Sequence, residues 1–471
     1  MDKFYITTTL PYVNSDPHIG FAMEIIRADV VARVKRARGN QVWFNTGTDE
    51  HGQKIYQKAV EEGVLPQEYC DRFAEKFKGL KSKLNLSNDT FIRTTDKKHI
   101  KAAQDFWTAC FNNGDIYKKN YQVKYCVGCE LEKTDSDLVD NKCPDHPNYE
   151  LELRDEENYF FRFSKYQEKL LDFYKKNPDF VCPDFRMKEI TNFVESGLSD
   201  FSISRLKSKM PWGVEVPGDR GQVMYVWFDA LVNYISVLGW SSTASAEFGE
   251  YWPGVQVCGK DNLRQQSAMW QAMLMSAGLP NTKRIYVNGF ILSDGVKMSK
   301  SLGNVIDPLE WVEKYGTDAV RYFLLSSISS FEDGDATEER FKEVYTAGLV
   351  NGLGNLTARV AAMIEKAETE FEDAVNTPDN EVFRAVEEYN FALAIELIWK
   401  KIKTADTIIN EKKAWSLTGV EQKEVLSELV RIIRQVAVDL DVFLPEMAKK
   451  IQNQFGGEKI TKSEHLFARL K

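Results

Sequence analysis

The chain contains no apolar run long enough to span a bilayer, and its first residues lack the basic flank and long apolar centre of a signal peptide. Its seven cysteines, of which three are clustered, fit a reducing cytoplasm better than a disulfide framework. Internal repeats and low-complexity tracts are absent. The formal net charge of −9 argues against indiscriminate nucleic-acid binding but leaves room for a local basic track. These absences predict a cytoplasmic protein with no membrane segment.

The composition is that of an ordinary soluble globular protein: 471 residues, 43% hydrophobic and 28% charged, enough for more than one domain. The first stretch alternates strand and helix patterns. Residues 5–10 are predicted as a strand, residues 18–38 as a helix that ends at Gly39 in a left-handed cap, and residues 42–44 as a strand. Strand, helix and strand at this spacing form a βαβ unit, which implies a parallel sheet.

A polar, turn-rich and cysteine-bearing stretch interrupts this alternation from about residue 117 to about residue 222, and we interpret it as an inserted small domain. Strands are then predicted again, at 224–228, 255–258 and 284–288. After about Gly348 the strand patterns end, and long amphipathic segments follow, at 355–366, 390–411 and 421–443. The sequence therefore predicts an α/β fold whose parallel sheet is split by an insertion, followed by an all-α helical bundle.

Two short motifs, far apart in the chain, are the most informative for chemistry. P-H-I-G places His18 and Gly20 at the start of the first predicted helix, where free backbone N–H groups and the helix dipole favour an anion. K-M-S-K-S places Lys297 and Lys300 in a loop after a predicted hairpin, where two cations can close over a pyrophosphate. Separately, the first motif can be a simple helix cap and the second a solvated loop. Together they predict an ATP site at which the carboxylate of an amino acid is adenylated.

The cysteine cluster provides independent evidence for a metal site. Cys126 and Cys129 form a C-x-x-C hook, and Cys143 and His146 form a C-x-x-H hook a short loop later. Three thiolates and one imidazole complete a tetrahedral zinc shell with no open position, so that one Zn²⁺ would have a structural role. The alternative is a set of cytosolic thiols without metal.

Several further segments have distinctive sequences. They read L-P-Y-V-N at 10–14, G-T-D-E-H-G at 47–52, S-I-S-R at 202–205, Y-V-W-F-D-A at 225–230, N-L-T-A-R at 355–359 and N-E-K-K-A-W at 410–415. With the two motifs above, they make the chain resemble the class I aminoacyl-tRNA synthetases and, within that class, the methionyl-tRNA synthetase family. The likeness covers nearly the whole chain, and the single cysteine knuckle resembles one subgroup of that family.

The resemblance implies that the chain activates L-methionine with ATP and Mg²⁺ to methionyl-adenylate and transfers the methionyl group to the 3′-terminal ribose of tRNA(Met). It also implies a Rossmann-type catalytic domain with a zinc-bearing connective insertion and a helical domain that reads the anticodon. Because the sequence shows no appended dimerising module after the helical segments, we expect a monomer. The expected boundaries are 1–116 for the first catalytic half, 117–222 for the insertion, 223–325 for the second half, 326–347 for a linker or stem-contact segment, and 348–471 for the anticodon-binding domain.

The resemblance also assigns roles to individual residues. His18, Lys297 and Lys300 are the expected catalytic residues, because they stabilise charge on the phosphates. Methionine is expected to contact Leu10, Tyr12, Asp49, Trp227, Ala230, Tyr234 and Gln266. ATP is expected to contact Asn14, His18, Gly20, Asp261, Lys297 and Lys300. The anticodon is expected to contact Asn355, Arg359 and Trp415.

The chain departs from the family pattern at two positions. Phe21 stands where the first motif usually ends in a second histidine, and Gln266 stands where a histidine generally lies near the methionine sulfur. We expect the amide of Gln266 to donate to the sulfur instead. Two alternatives are a sister class I enzyme for another amino acid and a catalytically inactive tRNA-binding protein. The first generally carries a large editing insertion or a zinc in the active site, and the intact Lys297 and Asp49 argue against the second.

Overall fold

The computed structural model describes residues 2–133, 137–241, 246–298, 304–372 and 376–470. The strands are β1 Lys3–Thr8, β2 Gln41–Thr48, β3 Thr90–Arg93, β4 Ile116–Cys126, β5 Leu131–Lys133, β6 Glu152–Phe161, β7 Val181–Cys182, β8 Phe201–Ser202, β9 Ser204–Leu206, β10 Glu215–Val216, β11 Asp219–Met224, β12 Val255–Gly259, β13 Arg284–Asn288, β14 Ile291–Ser293, β15 Val296–Lys297 and β16 Gly334–Asp335.

Helices make up most of the remaining structure. They are α1 Ile19–Ala37, α2 Gln53–Glu62, α3 Pro66–Lys83, α4 Lys97–Asn112, α5 Gln167–Lys176, α6 Asp184–Glu195, α7 Val226–Ala230, α8 Asn233–Ser236, α9 Ala246–Tyr251, α10 Trp270–Ser276, α11 Pro308–Tyr315, α12 Thr317–Ser326, α13 Glu338–Val344, α14 Asn355–Ala367, α15 Asn380–Glu387, α16 Phe391–Glu411, α17 Gly419–Leu440 and α18 Pro445–Phe455. Throughout the described ranges, every helix is too short or too polar to serve as a membrane span.

Residue contacts divide the chain into two units, the first made of Met1–Asp16, Asn40–Gly79 and Asn88–Val287, the second of Pro17–Gly39, Leu80–Ser87 and Asn288–Lys471. The first unit is built on a six-stranded sheet in the order β3-β2-β1-β12-β13-β7. β1 pairs in parallel with both β2 and β12, with Ile6 opposite Val255. Because β12 follows β1 by more than two hundred residues of sequence, the parallel sheet is indeed split by an insertion.

The insertion forms its own antiparallel sheet in the order β5-β4-β6-β8. β4 and β6 pair over ten residue pairs, from Ile116 opposite Phe161 to Tyr125 opposite Glu152. The α/β sheet, the insertion and the helical C-terminal region agree with the predicted fold class. The positions of the domain boundaries stay a prediction.

The predicted strand at residues 224–228 is wrong. β11 ends at Met224, Tyr225 is the N-cap of α7, and the helix begins at Val226. Aromatic and β-branched residues favour a strand locally, but tertiary packing prevails. The ring of Phe228 packs edge-on against Phe106 at 5.9 Å and Trp107 at 5.2 Å, inside the core formed with α4.

In the second unit, the amphipathic segment predicted at 390–411 forms α16, which buries Phe391, Ile395, Ile398, Ile402 and Ala405 along one face. This agrees with the amphipathic pattern, because residues three and four apart share a helix face. Within the described part of this unit after β13, regular strands are confined to the hairpin β14–β15 and to β16, and the regular elements from residue 355 onward are helices.

A buried ion pair fixes α1 within the second unit. Asp29 is fully buried, and its Oδ2 accepts from Arg321 Nη2 on α12 and from Arg33 Nε, each at 2.8 Å. Its Oδ1 accepts from the backbone N and the Oγ of Ser87, each at 2.7 Å. Burial alone would raise the pKa of Asp29, but the charges of Arg321 and Arg33 and these hydrogen bonds lower it instead.

Candidate active site and metal site

Asp49 and Tyr12 lie side by side at the carboxyl ends of the adjacent parallel strands β2 and β1. The two residues form an isolated parallel bridge. Asp49 N donates to Pro11 O at 3.0 Å, and Val13 N donates to Asp49 O at 3.2 Å. Ligands of open α/β sheets bind at this edge. The predicted methionine contacts Leu10, Tyr12 and Asp49 are therefore brought together, and Leu10 and Asp49 are buried.

Asp49 is only 2% exposed, and its surroundings make ionisation unfavourable. Burial raises the pKa of Asp49 well above its ordinary value, and the negative charges of Asp229 and Glu130 raise it further. A cationic group placed beside Asp49 would reverse this effect, because an opposite charge favours the ionised form. The site is thus suited to an ammonium group.

Aromatic rings flank Tyr12. The ring of Trp227 packs edge-on against that of Tyr12, with 6.4 Å between centroids and an interplanar angle of 72°. The Trp227 Nε1 is buried without a hydrogen-bond partner among the described residues. Ala230 and Tyr234 are buried too, and the Tyr234 ring lies 5.9 Å from that of Trp270. Such walls suit a thioether side chain.

Gln266 is fully buried within a short π-helical turn, Gln265–Met269. Its Nε2 donates to Thr9 Oγ1 at 3.2 Å, directly after β1. One of the two amide hydrogens is therefore used by Thr9, and the other remains for a ligand atom. Within the described ranges, the buried Oε1 has no hydrogen-bond partner. Whether the amide serves the methionine sulfur stays a prediction.

A buried network of histidines stands next to this region, and the sequence analysis missed it. Asp229 Oδ2 lies 2.6 Å from His51 Nδ1, and Asp229 Oδ1 lies 2.8 Å from His99 Nε2, whose Nδ1 lies 2.9 Å from Ser236 Oγ. Burial would raise the pKa of Asp229, but the two imidazoles lower it to about 2. His51 and Asp229 belong to segments that were singled out, whereas His99 on α4 had no distinguishing signal.

The two predicted ATP contacts of the first unit are more open. Asn14 is half-buried in the turn after β1, and Asp261 is exposed in the 3-10 turn Lys260–Asn262 that follows β12. A Cβ at Gly259 would lie 2.7 Å from Asp261 Oδ1. The Asp261 carboxylate therefore lies close to the backbone of Gly259.

His18 and Gly20 lie together at the N-terminus of α1 in the second unit. His18 is the N-cap, and its Nδ1 accepts a hydrogen bond from Gly20 N at 3.1 Å. The Ile19 amide donates to Ile306 O at 3.0 Å, which fastens the helix end to the chain just after the lysine loop. Phe21, at the departure from the family motif, is buried on α1.

The predicted hairpin forms as β14 and β15, but Lys297 is the last residue of β15, whereas the prediction placed it in a loop after the hairpin. Its Nζ lies 4.6 Å from the centre of the Phe290 ring, and its carbonyl accepts from Asn304 Nδ2 at 3.5 Å. The hairpin is also held close to its neighbours, because a Cβ at Gly289 would lie 2.2 Å from the backbone of Glu332. Lys300 lies outside the described residues, so the predicted pair of lysines is only half observed.

The four predicted metal ligands converge. The Sγ atoms of Cys126, Cys129 and Cys143 and a ring nitrogen of His146 lie within 4.8 Å of one another. Cys129 Sγ lies 3.3 Å from Cys143 Sγ and 3.2 Å from His146 Nδ1. Gly128 is required here, because a Cβ at that position would lie 2.4 Å from the imidazole. The cluster forms a possible metal site with the donor set of a closed structural centre.

The predicted anticodon contacts lie on helices of the second unit. Asn355 is exposed at the start of α14, and Arg359 lies one turn later. Arg359 donates to Asp406 Oδ1 at 3.1 Å and to Asn410 Oδ1 at 3.2 Å. Trp415, in the 3-10 turn after α16, is 53% exposed, which is unusual for so large an apolar side chain.

Comparison with known proteins agrees with this geometry. The profile of the family described as tRNA synthetases class I (M) matches residues 4–150 and 136–361. The methionine–tRNA ligase of Thermotoga maritima is 41% identical over 98% of this chain and 77% of its own length. That of Synechocystis sp. is 41% identical over 96% of this chain and 89% of its own length.

Solved structures give the same result. The Mycobacterium tuberculosis methionyl-tRNA synthetase in complex with methionyl-adenylate is 34% identical, with a TM-score of 0.93 and full coverage of both chains. Its apo form gives a TM-score of 0.86 at 31% identity, over 100% of this chain and 99% of its own. The chain therefore belongs to the class I aminoacyl-tRNA synthetases and, within them, to the methionine–tRNA ligases.

Proposed function

We propose that the chain acts as a methionine–tRNA ligase through the residues assigned above. It activates L-methionine with ATP to methionyl-adenylate and then transfers the methionyl group to the 3′-terminal ribose of tRNA(Met). The observation that supports this most strongly is the pairing of the buried Asp49 with the half-buried Tyr12 at the sheet edge, in a fold that matches a structure bound to methionyl-adenylate.

Methionine recognition is assigned to the first unit. The carboxylate of Asp49 and the carbonyl of Leu10 bind the ammonium group. The rings of Tyr12 and Trp227 enclose the thioether, and Ala230, Tyr234 and Gln266 complete the walls. The pKa of the Asp49 carboxyl is raised in the ligand-free protein, and the ammonium group of methionine offsets the unfavourable burial of its charge. Methionine analogues that lack the amino group would leave the Asp49 carboxylate unpaired, and we expect the pocket to reject them.

Activation proceeds by in-line displacement. A methionine carboxylate oxygen attacks the α-phosphorus, the bond from that phosphorus to the bridging oxygen breaks, and pyrophosphate leaves with Mg²⁺, which enters with ATP. His18, Lys297 and Lys300 stabilise the charge that develops on the phosphates. Gly20 permits close approach of a phosphate to the start of α1, and Asn14 and Asp261 orient the nucleotide.

Zn²⁺ is the metal proposed for the cysteine cluster. Three thiolates and one imidazole suit its tetrahedral preference, and four protein ligands leave no position for a substrate. When bound, the ion would cross-link the insertion and would supply no chemistry to the reaction. The ligands themselves fasten β4 to the loop that ends at His146.

Recognition of tRNA is assigned to the helical region from residue 348 onward. Trp415 offers an exposed indole on which a splayed anticodon base can stack, and Asn355 and Arg359 offer polar groups to base edges. The five segments predicted from the sequence, a monomeric state and a cytoplasmic location complete the proposal.

The proposal is tested by ATP–pyrophosphate exchange with each proteinogenic amino acid in turn. Exchange that depends on methionine, and that is lost in the Lys300→Ala variant, is the expected result. Exchange that depends on another amino acid would contradict the assigned specificity. A folded, zinc-loaded protein without any exchange would contradict the ligase assignment and favour a tRNA-binding protein.

A further inference from the structure

Glu130 occupies an unusual place between the metal ligands and the sheet. It directly follows Cys129, and its backbone has φ 52°, in the left-handed region that a non-glycine residue rarely adopts. Its side chain is 1% exposed although it is acidic. A buried carboxylate in a strained backbone conformation persists only when its surroundings hold it there.

The contacts of Glu130 explain that placement. Its Oε1 accepts from Lys54 N at 2.9 Å, in the first turn of α2, where the helix dipole favours a negative charge. Its Oε2 accepts from Tyr12 Oη at 3.2 Å, and its carbonyl accepts from Tyr225 Oη at 2.8 Å. The backbone of Gly52, with φ 113°, is shaped around the same group, because a Cβ there would lie 2.7 Å from Oε2.

These partners belong to three separate segments of the proposed methionine pocket. Tyr12 is itself one of the assigned contacts. Lys54 lies in the first turn of α2, the helix that follows Asp49, and Tyr225 caps the helix that carries Trp227. All these residues lie in the first unit. Glu130 is thus a buried residue that connects the metal cluster, through its neighbour Cys129, to the segments that would enclose methionine.

We propose that Glu130 is a positioning residue through which the metal site holds the methionine pocket in shape. This inference rests on the proposed function. A metal bound at the cysteine cluster fixes Cys129, and Cys129 fixes the backbone of the next residue. Glu130 then sets the position of the Tyr12 hydroxyl and of the start of α2. Loss of the carboxylate or of the metal therefore weakens methionine binding and leaves ATP binding unchanged.

The test compares Glu130→Ala, Glu130→Gln and Tyr12→Phe with a matched control, Glu150→Gln, which makes the same change at an exposed carboxylate of the insertion. Metal content, the methionine Kd by calorimetry and the KM for ATP are measured for each. Removing a buried charged hydrogen-bond partner predicts about a tenfold to a hundredfold rise in the methionine Kd for Glu130→Ala. Metal content and the KM for ATP stay unchanged, and Glu130→Gln restores part of the affinity.

Chelation of the metal provides the second half of the test. Removing Zn²⁺ from the parent should raise the methionine Kd, and the same removal from Glu130→Ala should add little, because both changes act through Glu130. Additive effects would overturn the proposal, as would equal losses of methionine and ATP affinity. If Glu130→Ala does not fold, an unchanged methionine Kd in Glu130→Gln and Tyr12→Phe would overturn it. A parent without methionine-dependent exchange would instead contradict the proposed function.

Discussion

Replacing Asp49 by asparagine separates the stability of the first unit from its ability to bind an ammonium group. The substitution retains the size of the side chain and the two backbone hydrogen bonds of this residue, to Pro11 and from Val13, while it removes the charge. In the parent, burial and the charges of Asp229 and Glu130 raise the pKa of Asp49 well above its ordinary value. Ionisation of this carboxylate therefore opposes folding.

The sign of the pH dependence follows from that shift. A carboxyl group whose pKa is higher in the folded than in the unfolded state stabilises the fold below the unfolded value of about 3.9, and the contribution is lost as pH rises through the folded value. Asparagine does not titrate, so Asp49→Asn becomes progressively more stable than the parent as the pH rises. Asp49→Asn should bind methionine more weakly than the parent. Losing one partner of a buried charge pair costs about 2–5 kcal/mol, which raises the methionine Kd by roughly 30-fold to several thousandfold.

Urea denaturation over a pH series gives the free energy of unfolding, and calorimetric titration gives the methionine Kd. Asp16→Asn serves as the control, because Asp16 is an exposed carboxylate of the same unit that pairs with Lys76. The reasoning is refuted if Asp49→Asn binds methionine as tightly as the parent. It is also refuted if the free energy of unfolding of Asp49→Asn, taken relative to that of the parent, falls as the pH rises.

Three further changes test other parts of the molecule. Asp29→Asn leaves the buried Arg321 without its negatively charged partner and should lower the free energy of unfolding by about 3–5 kcal/mol, measured by urea denaturation. A loss typical of a surface site would contradict the buried pair. Gln266→Leu should reduce the preference for methionine over its sulfur-free isostere norleucine by roughly 2- to 10-fold in exchange assays, and unchanged selectivity would refute the amide–sulfur contact. Trp415→Ala should lower kcat/KM for tRNA by roughly 5- to 150-fold through loss of base stacking. Methionine-dependent exchange should be unaffected by the Trp415 change, and a parallel loss of exchange would argue against an anticodon role.

The sequence predicted those parts of the molecule that depend on local patterns. Three such predictions are confirmed: the amphipathic helix at 390–411, the left-handed backbone at Gly39 with φ 85°, and the cysteine hooks. Each depends on residues that lie close together in sequence. Local pattern failed at Val226 and Phe228, where strand-forming residues fold into a short helix under the demands of the core.

Long-range polar contacts were the part that sequence could not provide. Glu130 reaches Tyr12 across 118 positions of sequence, and His99 reaches Asp229 across 130. The local sequence around an acidic residue beside a cysteine, or around a histidine on an apolar helix face, does not indicate the distant partner. Such contacts follow from the topology, which places segments far apart in sequence next to each other.

The hydrogen bond from Gly20 to His18 also determines which form of the neutral imidazole is present. Nδ1 accepts the Gly20 amide hydrogen, so the ring carries its own hydrogen on Nε2. The backbone thereby selects one tautomer before a nucleotide arrives, and the ring presents an N–H group to an anion even without a positive charge. In the proposed reaction, the ring thus offers its Nε2–H group to a phosphate while the Gly20 amide holds the orientation of the ring at the start of α1.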